Sequence, residues 1–391
     1  MDNSKENLIL HVFTRYSVFT PKTLRLLYKI FGSYQAVWEL PNQRLPKFLR
    51  ALISEQQQLA FQKVLAAADL SREEEYLLSL GIWLCSPADL KYPELLKHIH
   101  NPPLLLYCRG NISSNVAGSN SAGRFYLAVI GSRKLSDYGR ECISQILSGF
   151  EDLPISIVSG LALGADACAH QQALNNSLHT VAVLGSGIDD LSIYPRSHYA
   201  LAKDILGAGG GIISEYPPGT AAFPAFFPTR NRIIAGMSNA VLVAEAGTKS
   251  GTFITAQSAL EEGRDLWAVP GPITHSQSAG TNLLIFQGAQ VALHSAAIIE
   301  AYAQLRGSVK KTNSPLLPGA SRREAAKSLF LPSLGEKILD LLCRGKLPIE
   351  EVFSSTGALP KEVNQALTTL ELSGKIIISG GFCCLPAEPK I

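Results

Sequence analysis

The sequence predicts an α/β fold with a doubly wound, mostly parallel sheet, and three observations carry that prediction. Short apolar runs recur between residues 126 and 291, too uniformly apolar for strands with one wet face. Stretches of helical periodicity separate most of these runs, as crossovers between parallel strands require. Glycine-rich turns follow several runs directly, where an open α/β sheet passes from strand to helix. Hydrophobic residues make up 46% of the 391 and charged residues 17%, which excludes a disordered chain. At about 150 residues per domain, two or three domains are expected.

Taken in order, residues 1–78 read as a helical domain. Leu24, Leu27, Tyr28 and Phe31 recur at helical spacing, as do Phe61, Val64 and Leu65, with Gly32-Ser33 and Pro41-Asn42 as punctuation. Residues 79–305 form the α/β domain. Ile82-Trp83-Leu84 and residues 104–107 lead in as strands, and residues 111–123, rich in Ser, Asn and Gly, form a flexible loop or insert. The repeating strands are expected at 126–130, 155–158, 180–184, 211–214, 240–244, 266–269 and near Val291. Helices are expected at 138–150, 166–174, 198–206, 253–262 and 296–305. Residues 306–332 read as a basic linker, with six cations against Glu324 alone over 306–327. In residues 333–391, Ile338, Leu341 and Leu342, then Val363, Leu367 and Leu370, mark helices. Residues 375–378 and 382–385 flank Gly380-Gly381 as a hairpin, the outline of a winged-helix-like domain.

Charge narrows the function. The net value is +3, but residues 124–300 hold 10 basic and 14 acidic side chains. A polyanion bound there must be met by a few placed cations and backbone amides rather than by a diffuse field. No apolar run approaches the roughly 20 residues that cross a bilayer, and the polar start lacks the flanks of a signal peptide. Seven scattered cysteines without a C-x-x-C pair indicate neither a disulfide framework nor a zinc site. The reading is a soluble cytoplasmic protein, without metal or cofactor.

Four loops fall at the carboxyl ends of expected strands, the edge where open α/β sheets bind ligands. Gly131-Ser132-Arg133 offers a tight turn, a hydroxyl and a forked grip on phosphate, although the tripeptide alone reads more simply as a turn with Arg133 in a surface ion pair. Residues 159–166 place Gly160 and Gly164 between strand and helix, presenting N–H groups at a helix start. Asp166 and His170 lie one turn apart there, and without a third ligand or nucleophile they read as capping and packing. Gly185-Ser186-Gly187 opens like a dinucleotide fingerprint but lacks its third glycine.

The richest stretch runs from Ser214 to Gly271. Phe226-Phe227-Pro228-Thr229-Arg230-Asn231-Arg232 suits base stacking with phosphate contacts. Its plainer alternative makes the phenylalanines core anchors, with Thr229 or Asn231 capping a helix over 233–237. Thr248-Lys249-Ser250-Gly251-Thr252 is a further strand–loop–helix anion site that lacks the full P-loop pattern, which disfavours ATP hydrolysis. Four amide-rich turns with Arg133, Arg230, Arg232 and Lys249 on one edge point to an extended phosphate-bearing ligand.

Residues 126–293 closely resemble the DNA-processing protein A (DprA/Smf) family. The likeness rests on Gly131-Ser132-Arg133, residues 159–166, residues 185–189 with Tyr194-Pro195, and residues 214–219, 227–236 and 249–256. Glu262-Gly263-Arg264, Val269-Pro270-Gly271 and Gly280-Thr281-Asn282 continue it, and Tyr92-Pro93-Glu94-Leu95 with residues 102–110 leads in. The first 75 residues and the tail match in outline only. The resemblance implies a Rossmann-like domain that binds single-stranded DNA, dimerises and loads the RecA recombinase in natural transformation. It further implies a SAM- or helix-hairpin-helix-like N-terminal domain and a C-terminal winged helix. By that likeness Arg133 is a phosphate ligand, Phe227 stacks on a base and Ser186-Gly187 belongs to the strand-binding groove. Some members carry a lysine where this chain has Pro224, so either Arg230 or Lys249 substitutes or affinity is lower. Residues 15–20 lack the glycine-centred hairpin of a helix-hairpin-helix motif.

The expected function is therefore a non-enzymatic single-strand binder and recombination mediator, using the four turns and residues 227–232. The alternative is a nucleotide-processing enzyme of the phosphoribohydrolase type, with Gly251-Thr252 as its glycine-threonine loop and Glu215 with Arg230 as its catalytic pair.

Overall fold

The computed structural model describes residues 3–40, 46–50, 53–112, 124–248 and 250–305, with parts of 338–384. The expected linker at 306–332, most of the 111–123 loop and Lys249 lie outside the described residues. Packing divides the chain into two compact units, residues 1–319 and 320–391.

The first unit opens with helices α1 (Ser4–Arg15), α2 (Pro21–Phe31), α3 (Tyr34–Trp38), α4 (Lys47–Arg50), α5 (Glu55–Ala67) and α6 (Leu70–Ser79). Their starts are written in polar caps. Thr20 accepts from the Thr23 amide with Pro21 at the first helical position, Ser54 and Gln57 form a capping box, and Asp69 accepts from Ser71 and Arg72. Phe13 anchors the cluster, its ring 5.4 Å from Phe19 and 6.0 Å from Phe61. The same core continues into the sheet through Tyr107, Ala182, Leu184 and Ile212.

There follow β1 (Trp83–Cys85), α7 (Glu94–Lys97), β2 (Leu106–Gly110), β3 (Phe125–Ile130), α8 (Asp137–Ser148), β4 (Ile155–Ser159) and α9 (Ala165–Asn175). Next are β5 (His179–Leu184), α10 (Tyr199–Gly207), β6 (Gly211–Ser214), α11 (Phe226–Gly236), β7 (Ala240–Val243) and α12 (Thr252–Glu261). The unit ends with β8 (Asp265–Ala268), α13 (Ala279–Phe286), β9 (Gln290–Val291) and α14 (Ser295–Leu305). The apolar runs expected from the sequence become β3 to β9; helices cover both faces of β3 to β8 and leave no side for polar alternation, whereas Gln290 and Val291 of the edge strand β9 are exposed. Leu127 and Val129 point into a core shared with Ile143, Ile146, Ala169 and Ile298, whereas Ala128 and Ile130 face Ile233, Ile234 and Ala256.

Among the described residues the sheet order is β1-β2-β6-β5-β4-β3-β7-β8-β9. Strands β3 to β9 pair in parallel, and β2 and β1 extend the β6 edge antiparallel. The chain builds from β3 toward β6 on one side and from β7 toward β9 on the other. The order therefore reverses between β3 and β7, and the loops after those two strands flank the crevice of this Rossmann-like sheet.

In the second unit β10 (Leu347–Pro348) precedes α15 (Ile349–Thr356), and β11 (Ile377–Ser379) and β12 (Phe382–Cys384) follow. The three strands pair antiparallel in the order β10-β12-β11, with Ile377 opposite Cys384. Ile338, Leu342, Val352, Val363, Leu367 and Ile376 form their core.

Candidate functional site

A cavity of ≈ 590 Å³ occupies the crevice at the strand reversal. Gly131, Ser132 and Arg133 enter from the loop after β3, Ser250 and Gly251 from the loop before α12, and Thr252 from the first position of that helix. Phe227, Arg230 and Asn231 project from α11, and Tyr194 and Asp166 complete the wall. Nine of the residues expected at the site thus share one cavity.

The Arg133 loop is held from beneath by Glu245. The Glu245 carbonyl accepts from Ser132 N at 2.8 Å, and its carboxylate accepts from Ser136 N at 2.9 Å and from the Ser136 hydroxyl. Ser136 in turn caps α8 by accepting from Gly139 N, so one buried residue, Glu245, fixes the loop through its carbonyl and the helix start through its carboxylate. On the other flank Ser132 O accepts from Ala165 N at 3.1 Å. Gly164 makes this approach possible, since at φ 77 and ψ −118 it sits where only glycine is at ease. Arg133 is left exposed, its guanidinium 5.3 Å from the centre of the Phe227 ring. Among the described residues it has no carboxylate within ion-pair distance.

Phe227 is half-buried and also meets Tyr194, ring centres 5.9 Å apart. Its position follows from an early helix start. α11 begins at Phe226, and Pro228 is tolerated there because the first turn needs no backbone donor. The expected caps Thr229 and Asn231 are consequently inside the helix, where Thr229 Oγ1 donates to Ala225 O at 3.0 Å and Asn231 Oδ1 accepts from Arg230 Nε at 3.1 Å. Facing Phe227, the α12 N-terminus presents the amides of Gly251 and Thr252, those of Phe253 and Ile254 being taken by Ser250 O and Gly251 O. Ser250 Oγ beside it is buried and has no partner among the described residues.

The floor of the cavity is electrostatically closed. Arg230 is 3% exposed, and its Nη1 donates to Gly160 O at 2.7 Å and to Val183 O. Gly160 has no room for a side chain because that guanidinium lies on it. Burial pulls the Arg230 pKa down to about 10, the Asp166 charge opposing and Arg133 reinforcing, so Arg230 stays cationic at neutral pH. Asp166 accepts from Gly160 N and Ala162 N, and burial raises its pKa against the pull of Arg230. His170 is buried with Nδ1 on Thr180 Oγ1 at 2.8 Å. Among the described residues no group of three or more His, Cys, Asp or Glu stands together as a metal site.

Several expectations require correction. Arg230 serves the floor rather than reaching out as a free grip. Arg232 points away from the cavity, donating to Asn101 O at 2.6 Å and to Glu215. The amides of Gly160 and Ala162 are taken by Asp166, Gly187 N by Thr220 O and Gly219 N by Asp189. Ser186 is buried and outside the cavity lining, as is Gly187. Of the four turns, the 185–187 and 214–219 loops are tied to each other, and the open amides lie at α12. Glu215 pairs with Arg232, not Arg230, and neither Glu215 nor Arg232 lines the cavity that holds Gly251 and Thr252. Two residues of the site carry no role in the sequence reading, Tyr194, which enters only through the family likeness, and Glu245. A carboxylate following the apolar β7 run, directly beside the strand reversal, was the available signal for the second.

The sequence profile of the DNA recombination-mediator protein A family matches residues 83–303. The DNA processing protein DprA of Streptococcus pneumoniae is 39% identical over 224 residues, 57% of this chain and 74% of that one. Protein Smf of Escherichia coli is 35% identical over 299 residues, 76% of each chain. The X-ray structure of DprA from Streptococcus pneumoniae superposes with a TM-score of 0.60 at 29% identity, covering 75% of this chain and 97% of that one.

Proposed function

The chain belongs to the DNA recombination-mediator protein A family, and from that premise we propose that it binds single-stranded DNA in the cavity at the strand reversal without cleaving it. The observation that carries this reading is the Phe227 ring, which meets the Arg133 guanidinium and the Tyr194 ring and lines one cavity with the α12 N-terminus. Bases of an unpaired strand stack on such a ring while neighbouring phosphates meet the cation and the helix amides. A duplex hides its base faces and cannot use the ring. Gly131, Ser132, Asn231, Ser250, Gly251 and Thr252 are assigned to the strand, with Lys249 as a further phosphate contact. Gly160, Gly164 and Arg230 shape the site from below. The phosphoribohydrolase reading finds its Glu215 in an ion pair with Arg232, in a different groove from the Gly251-Thr252 loop.

Within this reading the protein is a cytoplasmic, non-enzymatic mediator that protects incoming single strands and loads RecA during natural transformation. It acts as a homodimer. Phe286 at the end of α13, Val291 in β9 and Leu293 just after it expose their side chains, and β9 is the last strand of the sheet among the described residues, so this segment is offered as the dimer surface. Residues 333–391 are assigned as a winged-helix-like domain on the strength of the β10-β12-β11 sheet and its helical core. No helix of the described residues is long and apolar enough to cross a membrane.

The test is fluorescence anisotropy with a labelled oligothymidylate and duplex competitor. Single strands should bind preferentially, and Phe227→Ala should weaken them by about 1–3 kcal/mol per stacked base. Unaltered affinity in Phe227→Ala, or equal competition by duplex, would overturn the assignment.

A further inference from the structure

We propose that the strand does not end in the first cavity but crosses the first turn of α11 into a second groove, giving one track over two sites; this rests on the single-strand reading above. The second groove, also ≈ 590 Å³, lies between the N-terminal helices and the β6 loop, with Arg15, Arg25, Arg232, Glu215, Tyr216 and Phe226 in its walls. Helix α11 is the partition. Residues 227, 231 and 234 line the first cavity, whereas 226, 229 and 232 line the second groove. Steps of three and four residues put each set on its own face of one helix.

The crest of that partition is aromatic. Tyr194 meets Phe227, Phe226 is its neighbour in the chain, and Phe226 stacks on Tyr216 at 4.2 Å while meeting Phe223 edge-on at 5.8 Å. Tyr194 and Phe223 are 52% and 58% exposed, a high value for rings on a folded surface. Rings in series with guanidinium groups at both ends match unpaired nucleic acid, whose bases need π-faces and whose phosphates need cations.

The charges in the second groove favour an anion. Arg15 is committed to Glu73 and Arg232 to Glu215. Arg25 instead donates to Pro102 O at 2.7 Å and has no carboxylate within ion-pair distance among the described residues. Its positive charge is therefore uncompensated locally. Arg232 Nε is buried and has no partner among the described residues. An acidic peptide would satisfy these cations but would leave the continuous row of rings from the first cavity unexplained.

The experiment compares oligothymidylates of about 6 and about 20 nucleotides, the range over which single-strand sites fill. Two variants address the second groove alone, Arg25→Ala and Thr229→Glu. The second is the control for folding, since Thr229 is exposed on α11 and glutamate is well tolerated near a helix start. Both should weaken the long oligonucleotide by about 3- to 10-fold and leave the short one at wild-type affinity. For Arg25→Ala the salt slope on the long strand should fall by about 0.7. Equal effects on both lengths, or no effect on either while Arg133→Ala weakens both, would overturn the second site and leave the first. Indifference of the short oligonucleotide to Arg133→Ala would instead strike at the single-strand reading, and the extended track would fall with it.

Discussion

Replacing Gly164 with alanine tests the geometry that sets Arg133. At φ 77 and ψ −118 an alanine is strained, at a cost of about 1–3 kcal/mol. Its methyl group would also press on Ser132 O and stand 2.6 Å from Arg133 O. Carbon and oxygen need a wider separation, so the 132–133 backbone must retreat by about 1 Å. That retreat breaks the Ala165 N to Ser132 O bond of 3.1 Å and strains the Ser132 N to Glu245 O bond of 2.8 Å. Each buried partner left unsatisfied costs about 1–3 kcal/mol. Strain and one unsatisfied partner together cost roughly 2–6 kcal/mol, a large part of the about 5–15 kcal/mol that holds a domain folded. Urea unfolding should show this loss, and anisotropy at low temperature on protein that circular dichroism reports as folded should show at least about tenfold weaker binding. Gly207→Ala is the control, since a methyl there meets nothing within 4 Å, and it should be neutral or slightly stabilising. If Gly164→Ala matches the wild type in stability and affinity, the packing of this loop has been misjudged.

Three further outcomes are expected. Arg133→Ala should lower the salt slope for single strands by about 0.7, whereas Arg133→Lys should keep the slope and lose affinity with the forked grip; an unchanged slope in the alanine variant contradicts a phosphate contact. Burial lowers the pKa of His11 to about 4 and of His170 to about 3, so both stay neutral in the fold while the unfolded chain protonates them near 6.5. Stability should therefore be full above about pH 6.5 and fall as the pH drops toward 4, by about 2 kcal/mol per histidine at pH 5; urea midpoints that do not move between these values rule it out. Phe286→Glu, at a side chain 88% exposed, should halve the mass seen by light scattering without changing the unfolding midpoint, and a persistent dimer would place the interface elsewhere.

The parallel sheet was legible because its strands are covered on both faces, which leaves uninterrupted apolar runs such as residues 240–243. Helix α13 was not, since Gly280, Thr281 and Asn282 in its first turn are weak helix formers. The antiparallel addition of β1 and β2 depends on partners that no local period encodes. At the site, the residue types were legible but their directions were not. Placing the start of α11 at residue 233 instead of 226 left Phe227, Arg230 and Arg232 without helical phase, so a cavity wall, a buried anchor and a remote ion pair looked alike. The amides spent on Asp166 and Asp189 are likewise invisible, because those carboxylates reach across folded turns.

The most direct measurement is a crystal structure with an oligothymidylate of about 6 nucleotides, long enough to fill the first cavity. A base stacked on Phe227, with flanking phosphates on Arg133 and on the amides of Gly251 and Thr252, is the predicted result. An oligonucleotide bound elsewhere on the molecule, with the space between β3 and α12 still holding solvent, would contradict it.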